Sequence, residues 1–140
     1  MTQSHYDVDV AACRRSFFAR EERARAKREL RRQAALKAAT DAIDSIVAGY
    51  PAVRRAYLFG SVLRQGAFMP RSDIDIAVEG IDAAGFFALW RDLEEAIPDW
   101  AVDLRDLVPG SHFARRVQDG GRLIYDRENS DFESRHRRRT

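Results

Sequence analysis

Two aspartates, Asp73 and Asp75, stand two positions apart in the run Ser72-Asp73-Ile74-Asp75-Ile76-Ala77-Val78. In an extended chain, residues i and i+2 point to the same face. Both carboxylates therefore project together, while Ile74, Ile76 and Val78 project oppositely and can bury. Adjacent acids repel each other unless a proton or cation sits between them. Upstream, the apolar run Leu58-Phe59 ends in Gly60-Ser61. A carboxylate pair joined to such a turn suits a divalent ion that holds the phosphates of a nucleotide. Asp103, between Val102 and Leu104, completes a three-carboxylate cluster if its strand lies beside the first. Oxygen-only ligation favours Mg²⁺ or Mn²⁺ over Zn²⁺, which prefers His and Cys.

The residues around the acids have supporting roles open to them. At Gly60 a missing Cβ lets backbone approach a phosphate. Ser61 can offer its hydroxyl and N–H at a helix N-terminus, a favourable anion site, or act as a plain N-cap. Arg64 is either a phosphate contact or a solvated arginine. Ser72 either caps the strand entry or fills the turn, and it is counted with Gly60, Ser61 and Arg64 among the candidate nucleotide-binding residues. Asp106 reads as a solvated strand end and His5, His112 and His136 as bystanders without metal spacing, while Trp90 and Trp100 read as core.

Strands and helices must position these groups. Residues 1–13 show no periodicity. From residue 14 to 48 there is no Gly or Pro, and Ala, Arg, Leu, Glu and Lys dominate, which is helix composition. Gly49-Tyr50-Pro51 ends that helix. Its apolar stripe is read as Leu30, Ala34, Ala38, Ala42 and Ile46, with Ile43 and Val47 beside it. Strands are expected at Arg54–Phe59, Asp73–Val78, Ala101–Leu107 and Arg122–Tyr125. Between them lie a short helix opened by Ser61, an amphipathic helix at Ala84–Ile97 with Phe86, Phe87, Leu89, Trp90 and Leu93, and a helix capped by Ser111. The alternation argues for an α/β or α+β domain with a mixed sheet of about four strands. Residues 128–140 read as a basic tail without regular structure.

The overall formal charge of +2 hides an asymmetry. Between Arg14 and Arg32, nine cations face three acids, and the tail adds Arg135, Arg137, Arg138 and Arg139. The rest of the chain is accordingly acidic. The basic helix can be a solvated face with Glu–Arg pairs, a dock for an acidic protein, or a nucleic-acid contact. No apolar run approaches the ~20 residues that span a bilayer, and no membrane partner is expected. The first residues lack a basic-then-apolar pattern, and the single cysteine, Cys13, cannot form an internal disulfide. A cytoplasmic setting is expected.

Taken in order, Gly60-Ser61, Ser72-Asp73-Ile74-Asp75 and Val102-Asp103-Leu104, followed by Gly120-Gly121-Arg122-Leu123-Ile124-Tyr125, resemble the minimal nucleotidyltransferases of the DNA polymerase β-like superfamily. The resemblance covers roughly residues 53–127, and departs from the family's usual short Ala-Arg-Gly after the Gly-Ser. It implies a nucleotidyltransferase fold over residues 49–127. It also implies two Mg²⁺ ions on Asp73 and Asp75, with Asp103 at the ion that meets the acceptor hydroxyl. ATP, or another nucleoside triphosphate, is the implied donor. A HEPN-domain toxin is the implied protein acceptor, which would make this chain the antitoxin of the pair. A non-catalytic module that silences its partner by occlusion, a small-molecule nucleotidyltransferase and an RNA-directed enzyme are the competing readings.

Overall fold

Four strands, β1 (Arg55–Phe59), β2 (Ile74–Glu79), β3 (Val102–Asp106) and β4 (Arg122–Asp126), form one sheet in the order β3-β2-β1-β4. β1 runs antiparallel to both β2 and β4, whereas β2 and β3 are parallel. The sheet is therefore mixed, as the alternation of elements requires. The computed structural model describes residues 9–138; residues 1–8 and 139–140, for which the sequence predicts no regular structure, lie outside the described residues. Among the described residues, no helix is long and apolar enough to cross a membrane.

Strand alternation assigns the two faces. Ala56, Leu58, Ile74, Ile76, Val78, Val102 and Leu104 bury on one side against helices α1 (Val10–Ile46) and α2 (Ala83–Ala96). On the other side Tyr57 and Ala77 bury against Ala114 and Val117 of α3 (His112–Gly120), with Phe59 and Phe113 at the margin. The α1/α2 face carries the larger core. The thinner α3 face leaves room beside the strands.

Helix caps follow side-chain chemistry. Asp82 accepts from Gly85 N at 2.8 Å to open α2, and Ser111 accepts from Ala114 N at 3.0 Å to open α3. Asp9 does the same for α1, accepting from Ala12 N at 3.0 Å. The long helix consequently starts at Val10 rather than at residue 14. It ends at Ile46, and a 3-10 turn at Val47–Gly49 follows.

Three packing expectations need correction. The buried stripe of α1 is Ala35, Ala39, Ala42 and Ile43, and Leu30 is 68% exposed. Leu30 sits roughly 140° around the helix from Ala35 at 3.6 residues per turn, so it cannot share that stripe. Phe87, expected to pack, is exposed, because Leu89 and Leu93 define the buried face of α2. The basic tail forms α4 (Arg127–Arg137). Asp126 accepts from Glu128 N at 3.1 Å, Glu128 lies in the first turn, and Arg135, His136 and Arg137 lie in the last. Glu128 and the two arginines each complement the helix dipole.

Candidate active site

Asp75 stands at the centre of a line that crosses three strands. It is the Cα partner of Phe59 in β1 and of Asp103 in β3. The parallel β2–β3 pairing therefore does what the sequence required of it, and sets the two carboxylates side by side on the α3 face. Asp73 lies two residues earlier, exposed, just outside the strand start.

The electrostatics show the other two acids acting on Asp75. Partial burial pushes Asp75 up to about 6, and the charges of Asp103 and then Asp73 push in the same direction; Arg105 opposes them. Like charges that cannot spread apart raise a carboxyl pKa in this way. Asp103 is also engaged by Arg105, whose Nε lies 3.3 Å from Asp103 Oδ2. Among the described residues no three acidic, His or Cys side chains converge into a ready-made ligand set. The donor chemistry itself fits a hard divalent cation: all three groups are carboxylates, and Asp75 already carries a charge conflict that a cation would relieve.

Gly60 packs against this group. Its φ is +77°, and a Cβ there would overlap Asp75 Oδ2 and lie 3.2 Å from Asp75 Cγ. The glycine therefore makes room for the acid itself. Ser61 departs from expectation. The element it was to open is a single 3-10 turn, Gly60–Leu63, capped by Phe59 without a side-chain hydrogen bond. Ser61 lies inside the turn, where its carbonyl accepts from Arg64 N at 3.1 Å. Ser72 fills its own turn: its Oγ accepts from Met69 N at 2.8 Å, and its N–H donates to Met69 O.

A cleft of about 570 Å³ opens on this face, lined by Phe59, Gly60, Leu63, Arg64, Asp75, Arg105, Phe113, Arg116, Val117 and Gly120. Ligand sites commonly fall in this range of volume. Arg64 lines the cleft, and Ser61, Ser72, Asp73 and Asp103 are not among its lining residues. Three arginines face a wall that carries Asp75, which suits a polyanion bridged to carboxylates by metal.

Sequence reasoning missed Arg105, Arg116 and the aromatic pair. Phe59 and Phe113 meet edge-to-face at 5.5 Å, and Arg105 stacks over Phe113 at 5.9 Å. Arg105 was accessible from spacing, since it follows Asp103 by two on a strand. Arg116 and Phe113 enter only because α3 packs across the sheet.

This sheet, its two helical layers and the acid cluster beside a glycine turn define a nucleotidyltransferase-like fold. Residues 41–130 match the family described as polymerase beta, nucleotidyltransferase, and the chain belongs to that family. Several solved structures are similar, and two serve as examples. One is a mutant of the toxin–antitoxin MntA-HpeT, at 29% identity and a TM-score of 0.53, covering 66% of this chain and 77% of that one. The other is a toxin–antitoxin with AMP-PNP, at 31% identity and a TM-score of 0.53, with the same coverage. No curated protein matches the chain significantly.

Proposed function

We propose that this nucleotidyltransferase transfers AMP from ATP to a hydroxyl of a protein, as the antitoxin of a cytoplasmic toxin–antitoxin pair whose toxin is of the HEPN type. The observation that carries the chemistry is the Asp75–Asp103 pair beside a cleft lined by Arg64, Arg105 and Arg116. Similarity to a toxin–antitoxin with AMP-PNP supports the donor and the kind of partner.

In the proposed reaction an acceptor oxygen attacks the α-phosphorus, the bond to the β-phosphate oxygen breaks, and pyrophosphate leaves. Asp73 and Asp75 would hold two Mg²⁺ ions and Asp103 one of them; Mn²⁺ could substitute. Bound Mg²⁺ offsets charge on the phosphates and lowers the pKa of the acceptor hydroxyl. The arginines of the cleft bind the phosphates and orient them. Phe113 and Phe59 offer an apolar wall for the nucleoside. Asp103 accepts the acceptor's proton once Arg105 has turned from it to the phosphates.

The test is transfer of label from α-labelled ATP, with Mg²⁺, into a lysate of the source cell, with Asp73→Asn run in parallel. A labelled protein band confined to the wild type is the expected result. Label in small molecules would move the substrate class. Absence of transfer from all four nucleotides, with neutralisation retained by Asp73→Asn, would favour a partner silenced by occlusion alone.

A further inference from the structure

Helix α1 extends well beyond the body on which it packs. Its buried residues begin at Ala35. Towards the N-terminus its last ties are Arg32 Nη1 donating to Val62 O at 3.0 Å, Arg31 Nη2 donating to Asp99 O at 3.4 Å, and Arg25, Arg28 and Glu29 along a narrow cleft with Gln65, Gly66 and Phe68. Val10–Ala24 thus forms an arm about 22 Å long at 1.5 Å per residue.

The arm repeats the stripe that is buried further along. Val10, Phe17 and Ala24 recur at seven-residue spacing, and the helical period carries them onto the face of Ala35, Ala39 and Ala42. In the body that face is covered by the sheet. In the arm Val10 is 58% exposed, Phe17 56% and the adjacent Phe18 63%. Single exposed apolar residues are ordinary, but exposed Phe17 and Phe18 beside one another, with Phe17 aligned with a core face, mark an interaction surface.

Charge decides the occupant. Arg14, Arg20 and Arg25 flank the stripe and Arg15 and Arg23 lie further round the helix, against Glu21 on the stripe's own face and Glu22. Two such arms packed together would bring like charges into contact, which disfavours self-association. A phosphate backbone would satisfy the arginines but leave Phe17 and Phe18 bare. An acidic amphipathic helix satisfies both features, apolar face to stripe and carboxylates to arginines. The arm also precedes residues 41–130, which carry the family match, so it is an addition to the catalytic domain.

The root of the arm meets the site. Val62, which receives Arg32, lies in the turn that begins with Gly60 beside Asp75, and its neighbours Leu63 and Arg64 line the cleft. We propose that Val10–Ala24 docks an acidic amphipathic helix of the protein acceptor, so that acceptor choice resides in the arm and chemistry in the cleft. This rests on the protein-acceptor reading above.

The test uses the full chain and a fluorescein-labelled synthetic peptide with leucine on one face and glutamate on the other, followed by anisotropy. Binding that weakens with salt, and falls at least about tenfold in Phe17→Ser/Phe18→Ser and in Arg20→Glu/Arg23→Glu, is expected. Saturating peptide should also suppress label transfer into lysate protein. Helix content by circular dichroism and Mg²⁺-dependent AMP-PNP binding should be unchanged in both variants. Equal peptide binding by wild type and the Phe variant overturns the proposal. So does tighter binding of a single-stranded RNA that ignores the Phe substitutions, and so does label transfer indifferent to peptide. Peptide binding without any nucleotide binding would sink the enzymatic reading instead, while nucleotide binding without peptide binding would sink the arm.

Discussion

Gly60 and Asp75 occupy space that only one side chain can fill. The Gly60 Cα, at φ +77°, faces the Asp75 carboxylate so closely that a Cβ would overlap Oδ2. The turn after β1 and the central acid of β2 are therefore one structural unit, and a change in either is felt in the other.

Gly60→Ala should destabilise the fold by about 2 kcal/mol, combining a positive φ with the overlap. Removing Asp75 as well should recover part of that loss, because the overlap disappears while the strained φ remains. A thermal double-mutant cycle measures it. Additive losses would show that the two positions do not meet.

Asp75 should make the metal-free protein less stable as pH rises. Its folded pKa is raised to about 6, by burial first and then by Asp103 and Asp73. A raised carboxyl pKa contributes stability that is complete below the unfolded value and is lost as pH climbs through the folded one. The loss is of order 1 kcal/mol after allowance for solvent screening at this partly exposed group. Melting curves without metal between pH 4.5 and about 7.5 should fall more steeply for wild type than for Asp75→Asn. Parallel slopes would contradict the assignment.

Arg105→Ala should act on nucleotide affinity more than on stability. Its side chain is exposed, and its pairing with Asp103 is a surface ion pair of small worth. A lost charge-assisted phosphate contact amounts to roughly 1.5–3 kcal/mol, so KM for ATP should rise at least about tenfold with Tm nearly unchanged. An unaltered KM would remove Arg105 from the phosphate site.

Ser72→Ala should do the reverse. Ser72 Oγ accepts from Met69 N within its own turn, so its loss should cost about 0.5–1 kcal/mol of stability and leave KM where it was. A raised KM with an unchanged melting temperature would restore Ser72 to the nucleotide.

The strands were legible because alternation is local. Ile74, Ile76 and Val78 against Asp73 and Asp75 define both a strand and its buried face, and Asp82 and Ser111 are caps readable from their type and place. The meeting of Asp75 with Asp103 depended on β3 lying parallel beside β2, which no local pattern specifies. Arg116 and Phe113 reach the cleft through the packing of α3, an equally nonlocal event. Alanine made the stripe of α1 ambiguous: Ala34 and Ala35 are alike as residues, and only the sheet beneath selects the second. The charge of the tail hid Asp126 and Glu128, whose placement opens α4.

In the proposed reaction the Asp75–Asp103 pair and the arginine-lined cleft bind a metal–nucleotide complex. The most direct test is titration of AMP-PNP into the full chain with Mg²⁺ and with EDTA, for wild type and Asp75→Asn. Binding with Mg²⁺ is expected, as is its loss both in EDTA and in the variant. Binding of equal strength in EDTA, or full retention by Asp75→Asn, would contradict it.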